Sequence, residues 1–563
     1  MSWLYIKKWF KGSKMSPIKF PELPHIEMNL EGHSFYWEFL NKMELEQNFP
    51  MHRLCSLMRK MGASSYVIEE APISGELERE FLDLNTYYGS EGSFFAYKVS
   101  FLKEEELIKN KGAICLASAI VVYYLNSGAE NLRKRLAYVY EAFVAFPKAA
   151  GSTENLLNNF YHTGRTFDVT ALEKQFKIAG TYFCQQNGYT SVCAHSALKM
   201  IMNSNSSYIS SLVTTSQIND VLGIDHVSKK ADTGLRIKEE LDPVLNHFGL
   251  SSILGNFFER PEMNVCQYLY SVIESGNPAL VKYATRNDFH ALPVIGHTLN
   301  TDEWFPEANL GYIGPGDSNQ NSEDCFRYHP SSTWVDHFLI HDDNFGMYLC
   351  LTTGALKKIT LPSYDPYMRP HSVIGVYSRV NPKASPGVIE PAGAIVLKSV
   401  ICDSYKDSIL DWGKKLYQVC STSSSEHLVL RTLLIKRTDY EKHLVSLSDH
   451  KRNKISNAIL ENLNLLPEYF WMTEFTLPNL YTANKTKLGE ALFHTDYIEK
   501  NDEEEQGEEK EDKRLNSMLA AFRGPGKFLL RSDTKSEFVP IPDTIISHVD
   551  LFRSKSSFTC SEW

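Results

Sequence analysis

The spacing of apolar residues changes several times along the chain, and each change predicts an element. From Phe35 to Gly62, FYWEFLNKMELEQNFPMHRLCSLMRKMG places its apolar side chains at helical spacing. SFFAYKVSFL (93–102) and LAYVYEAFVAF (136–146) are instead rich in aromatic and β-branched residues, which predicts strands. The turn-rich GSTENLLNNF follows at 151. Helical patterns then occupy CAHSALKMIMN (193–203), TSQINDVLGI (215–224), GLRIKEELDPVLNHFGL (234–250) and CQYLYSVIESG (266–276). The last two run into a glycine placed as a C-cap. Four strand patterns come next, NPALVKYAT, FHALPVIGHTL, WVDHFLIHDD and MYLCLTT, between 277 and 353. Helices first and strands second predicts an α+β arrangement rather than a doubly wound sheet.

Beyond residue 385, AGAIVLKSVI (392–401) and EHLVLRTLLIKR (426–437) read as strands around a helical DSILDWGKKLYQVC. SDHKRNKISNAILENLNLL reads as helix and YFWMTEFTLPNLY as extended. The acidic run NDEEEQGEEKEDKR (501–514) reads as a solvated loop. These shifts divide the chain into a mixed α/β region (1–150), a central α+β region (151–382) and a second mixed α/β region (383–563).

Composition narrows the function classes. The 563 residues are 43% hydrophobic and 12% aromatic, enough for several packed cores. A net charge of −10 gives no basis for nucleic-acid or anionic-membrane binding. The apolar run at 113–125 is too short to span a bilayer, so no integral membrane segment is expected. MSWLYIKKWFKGSKMS, at the N-terminus, lacks the apolar core of an export signal. Ten scattered cysteines with no CxxC pair fit a reducing cytosol, which predicts a cytoplasmic protein. His337 and His341 beside Asp342 and Asp343 are residue types that bind metals, but their spacing presents no preorganised ligand set. No metal or other cofactor is expected.

The candidate chemistry centres on QQNGYTSVCAHSALKMIMN (185–203). Ser191 as N-cap would put Cys193 in the first helical turn, against free backbone N–H groups and the positive end of the helix dipole. His290 opens a strand downstream, a rigid mount for a base. Asp342, Asp343 and Asn344 end another strand and are suited to orienting an imidazole. Gln185, Gln186 or Asn187 would supply a neutral oxyanion donor. His195 and Cys55 read as structural side chains on helices.

The order Gln, Cys on a helix, His on a strand and Asp or Asn on the next strand resembles the papain-like cysteine peptidases. The resemblance is nearest to the bacteriocin-processing (double-glycine) branch and its soluble relatives, and it spans residues 175–355. It implies a papain-like fold, with a helical part carrying the cysteine and an antiparallel sheet carrying His and Asp. It also implies Cys193 as nucleophile, His290 as base, Asp342 as orienting residue and Gln186 as oxyanion donor, acting on a protein or peptide substrate. The chain departs from that branch in three ways: a slightly longer Gln-to-Cys spacing, Ala-His after the cysteine, and a long insertion between the His and Asp strands. A thiol acyltransferase, or a non-catalytic interaction protein on the same fold, are the alternatives. In either case the flanking regions are candidate surfaces for a protein partner.

Overall fold

The apolar run at 113–125 lies inside a long strand. β4 (Asn110–Asn126) is flanked by β3 (Ser93–Leu107) and β5 (Lys134–Ala145). Its Val121 and Tyr123 enter one core and its Val122 and Tyr124 another. A strand covered on both faces shows no polar alternation, so its sequence reads as a continuous apolar run. The sheet continues to β2 (Ser65–Glu70) and β1 (His25–Met28) on one side. On the other it continues to β8 (Lys174–Phe183) and β7 (Arg165–Ala171), antiparallel throughout. A boundary at 150 therefore cuts a sheet, and the first unit by strand pairing extends to residue 183.

This computed structural model describes residues 25–28, 34–89, 92–107, 110–126, 134–148, 159–161, 163–189, 192–205, 211–224, 240–257, 264–284, 289–298, 311–313, 326–356, 369–378, 380, 382–421, 428–446, 454–478, 480–481, 486–495, 518–531, 538–542 and 549–550. The N-terminal stretch 1–16, Ser191 and the acidic run 501–514 lie outside them.

The helical stretch expected over 35–62 is two helices, α1 (Ser34–Lys42) and α2 (Phe49–Met61). Asn48 starts the second by accepting the Met51 N–H at 3.0 Å, and Pro50 sits in its first turn, where no intrahelical N–H is needed. α3 (Glu76–Tyr88), which the pattern did not single out, packs Leu77 and Leu84 beneath β4.

The second sheet has the order β15-β14-β11-β10-β16-β9 and is antiparallel throughout. β10 (Ala279–Ala284), β11 (Phe289–Thr298), β14 (His337–Asp342) and β15 (Gly346–Thr352) are the four expected strands. β9 (Leu250–Asn256) and β16 (Arg369–Ser378) extend the sheet, and β6 (Asn159–Tyr161) pairs with the end of β11. On one face, α4 (Cys193–Asn203), α5 (Thr215–Leu222) and α6 (Asp242–His247) pack Leu198, Ile201, Ile218 and Leu245 against Leu280, Ala291 and Ile374. On the other, α7 (Val265–Glu274) packs Leu269 and Val272 against Val281 and Val294.

The third sheet draws β12 (Gly311–Ile313) and β13 (Phe326–Pro330) from the insertion between the His and Asp strands. It continues through β17 (Leu428–Lys436), β18 (Tyr469–Thr476), β20 (Gly489–His494), β21 (Leu519–Gly524), β22 (Lys527–Arg531) and β23 (Phe538–Pro542). β13 against β17 is its parallel pair. A short ribbon joins β19 (Thr486–Lys487) to β24 (Val549–Asp550). The strand expected at 392–401 is helical, inside α8 (Pro386–Tyr405). Its buried Ile389, Gly393, Leu397 and Ile401 recur every four residues, and a Cβ on Gly393 would meet the Phe493 ring at 3.1 Å. Tertiary burial there overrides the β-branched composition.

The described chain is thus mixed α and β with antiparallel sheets, consistent with the α+β class. Among the described residues no helix is long and apolar enough to cross a membrane.

Candidate active site

Cys193 is the first residue of α4, reached from β8 through a turn in which Gly188 takes φ +75°. Asn187 Oδ1 accepts the Tyr189 N–H at 2.8 Å, the local bond that tightens such turns. The N-cap is Val192 rather than Ser191. Valine has no side-chain acceptor, so the cap takes none of the first-turn N–H groups beside the thiol. His195 closes the entry instead. Its Nδ1 accepts the Val192 N–H at 3.4 Å, while Nε2 meets Asn219 Oδ1 at 2.9 Å, so it serves the helix as expected.

His290 is the second residue of β11, and β14 runs back beside it with Ile340 opposite Val294. Asp342 ends β14 two residues beyond Ile340, past an irregularity in the strand, and this brings its side chain to His290. His290 Nε2 lies 3.2 Å from Asp342 Oδ1. The Cys193 thiol is near enough to the same ring to raise its proton affinity. With Nε2 turned to the carboxylates, Nδ1 is the nitrogen left to serve the thiol. Nε2 is also 3.5 Å from Asp343 Oδ1, so both aspartates converge on it. Asp342 Oδ1 further accepts the Asn344 N–H at 2.8 Å, which holds the carboxylate in place.

Burial alone would make His290 a weaker base. The hydrogen bond to Asp342, the nearby Cys193 and the neighbouring carboxylate charges outweigh it and hold the ring well above the usual histidine range. Asp343 moves the other way from an ordinary carboxylate. Burial, reinforced by Asp342 and opposed by His290, pushes it up to about 7. A strengthened base beside a sulfur at a helix N-terminus is the arrangement that can draw a thiol proton.

The glutamines divide as adjacent residues of an extended segment do. Gln185 Oε1 accepts Asn48 Nδ2 at 3.0 Å and the Val139 N–H at 3.1 Å, tying it to the first unit. Asn187 faces that unit too, donating to Glu80 Oε1 at 2.8 Å. Gln186, between them, points the other way and donates to Asn344 Oδ1 at 3.5 Å. Its amide is therefore the one carried beside the His-Asp pair.

Two further histidines of this sheet, His341 and His297, make structural contacts. His341 accepts the Tyr348 N–H at 3.1 Å and bonds Thr181 Oγ1 at 2.9 Å, and burial lowers it to about 3. His297 lies 2.5 Å from Glu274 Oε1 in a buried charge network. Cys55, Cys115 and Cys184 are buried thiols pushed up by desolvation, Cys115 to about 12. The tethers Asn48 and Glu80 lie far from the site in sequence, and no local pattern marks them. Comparisons with protein families, with curated proteins and with solved structures gave no match to this chain.

Proposed function

We propose that the chain is a papain-like thiol hydrolase, a cysteine peptidase acting on a peptide or isopeptide bond. The observation that carries this reading is one imidazole, bonded to a carboxylate on the neighbouring strand of the sheet, whose proton affinity is also raised by a thiol at a helix N-terminus. In this reading His290 takes the Cys193 proton and becomes imidazolium, and the thiolate attacks the scissile carbonyl carbon. The Cys193 backbone N–H and the Gln186 amide hold the oxyanion. Collapse breaks the C–N bond, and His290 returns its proton to the leaving amine, leaving a thioester on Cys193. His290 then deprotonates a water that attacks the thioester, releasing the acid and the thiol. Asp342 orients the ring and stabilises its charge. α4 packed on an antiparallel sheet that bears His and Asp supports the papain-like part of the proposal.

A peptide-based thiol electrophile tests it at neutral pH, with the exposed Cys350 as an internal comparator. Cys193 is expected to label faster than Cys350, and His290→Gln to slow Cys193 by about 100-fold while Cys350 is unchanged. Labelling led by Cys350 and indifferent to His290 would sink the proposal.

The oxyanion assignment has its own test. Gln186→Ala is expected to lower turnover by roughly 100-fold, the usual cost of one such donor, with Cys193 labelling little changed. Gln185→Ala should instead lower the thermal midpoint, because it removes the side-chain acceptor of the Val139 N–H and leaves the Asn48 amide only the Ala137 carbonyl. A silent Gln186→Ala with a slow Gln185→Ala would reverse the assignment.

A further inference from the structure

One carboxylate is enough to orient an imidazole, yet two converge on His290 Nε2, at 3.2 Å from Asp342 and 3.5 Å from Asp343. Nε2 has a single hydrogen to donate. Asp343 is only 1% exposed, and its Oδ2 has no hydrogen-bond partner among the described residues. Its Oδ1, which faces Nε2, accepts only the Asn344 amide at 3.3 Å among the described residues, so this buried side chain keeps lone pairs open to a positive ligand. We propose that His290, Asp342 and Asp343 form a site for a divalent transition ion of the Zn²⁺ type, whose binding withdraws His290 from the thiol.

The spacing fits such an ion. Bonds of about 2.0–2.1 Å in a tetrahedron set neighbouring ligand atoms about 3.3 Å apart. The two separations at Nε2 bracket that value, and the three ligand atoms all lie within 4.8 Å of one another. Two carboxylates balance the charge of the ion. The imidazole nitrogen favours a Zn²⁺-like ion over Mg²⁺ or Ca²⁺, which take oxygen ligands. Three protein ligands leave a fourth position to water.

The consequence for the thiol follows from proton placement. An imidazole coordinated through Nε2 is neutral and carries its one proton on Nδ1. It then cannot accept the Cys193 proton, so thiol chemistry stops until the ion leaves. This second half rests on the thiol-hydrolase reading, whereas the binding site itself does not.

Co²⁺ titration of the full chain, followed by its visible ligand-field absorption and by displacement with Zn²⁺, tests the site directly. One equivalent is expected to bind. Asp343→Asn should weaken binding by more than about 100-fold, and so should His290→Gln, whose partly exposed side chain makes it the safer variant for folding. Cys193→Ala should retain the absorption. No absorption in the wild-type chain overturns the proposal, and so does a signal lost in Cys193→Ala but kept in Asp343→Asn. Zn²⁺ is also expected to slow electrophile labelling of Cys193 in the wild type and not in Asp343→Asn. Binding without that slowing overturns the coupling. If Cys193 is inert in metal-free protein, the hydrolase reading fails, and the Co²⁺ signal still decides the site.

Discussion

Cys193→Ala is expected to abolish turnover of peptide substrates and covalent capture by the electrophile, a loss of roughly 10⁴- to 10⁶-fold, while the chain stays folded. The loss is this large because no other group in the site can form the thioester, and His290 without a thiol has nothing to activate. The fold should tolerate the change. Cys193 is only partly buried, it heads α4, and alanine is a better helix former than cysteine. The anchoring contacts of α4 are made further along by Ala197, Leu198, Ile201 and Met202. Intact-mass analysis after labelling, set beside the thermal midpoint, measures both halves. Cys184→Ala is the matched control. That thiol is buried, donates to Ser196 O at 3.7 Å and is pushed up by desolvation, so its loss should lower stability and leave labelling in place. Full turnover in Cys193→Ala would end the peptidase reading.

The sequence made some of these features legible and hid others, for identifiable reasons. α4, β10, β11, β14 and β15 could be read because each has one buried pattern bounded by turn residues, and their order alone brought His290 and Asp342 together. β4 could not be assigned, and α8 misled, for different reasons. β4 is covered on both faces and loses alternation, whereas α8 carries Ile395, Val396 and Val400 in a helix held by the sheet beneath it. Strand pairing crosses the boundary read at 150, since β8 pairs with β5, and a strand partner leaves no local mark. Alternation could not choose between Asp342 and Asp343, and both in fact reach the same nitrogen. Gln185 and Gln186 were chemically equivalent on paper. Their roles separate only through Asn48 and Val139, which belong to another sheet and its covering helix.

The same dependence on distant partners governs stability at the joint between the second and third sheets. Three acids and three bases interlock there without solvent. Arg431 donates through Nε to Glu274 Oε2 at 3.0 Å and through Nη1 to Glu474 Oε2 at 2.6 Å. Lys487 Nζ bridges Glu474 at 2.8 Å and Glu490 at 3.3 Å, and Arg523 closes the chain on Glu490. Glu274 ends α7 and also meets His297 on β11, the strand that mounts His290. Arg431→Ala would leave Glu274 and Glu474 buried without their shared guanidinium, a change that typically costs about 3–5 kcal/mol. A denaturant midpoint should fall accordingly. Lys442→Ala, which breaks an exposed pair with Asp439, should shift the midpoint hardly at all. Charge, not volume, is the cause, so Arg431→Met should be nearly as damaging as Arg431→Ala. Adding Glu274→Gln to Arg431→Met should recover part of the loss by removing one stranded charge. If Arg431→Met alone matches the wild-type midpoint, the network is not what joins the two sheets, and the apolar core that includes Val281, Val294, Phe338, Leu430, Trp471 and Phe475 carries that joint instead.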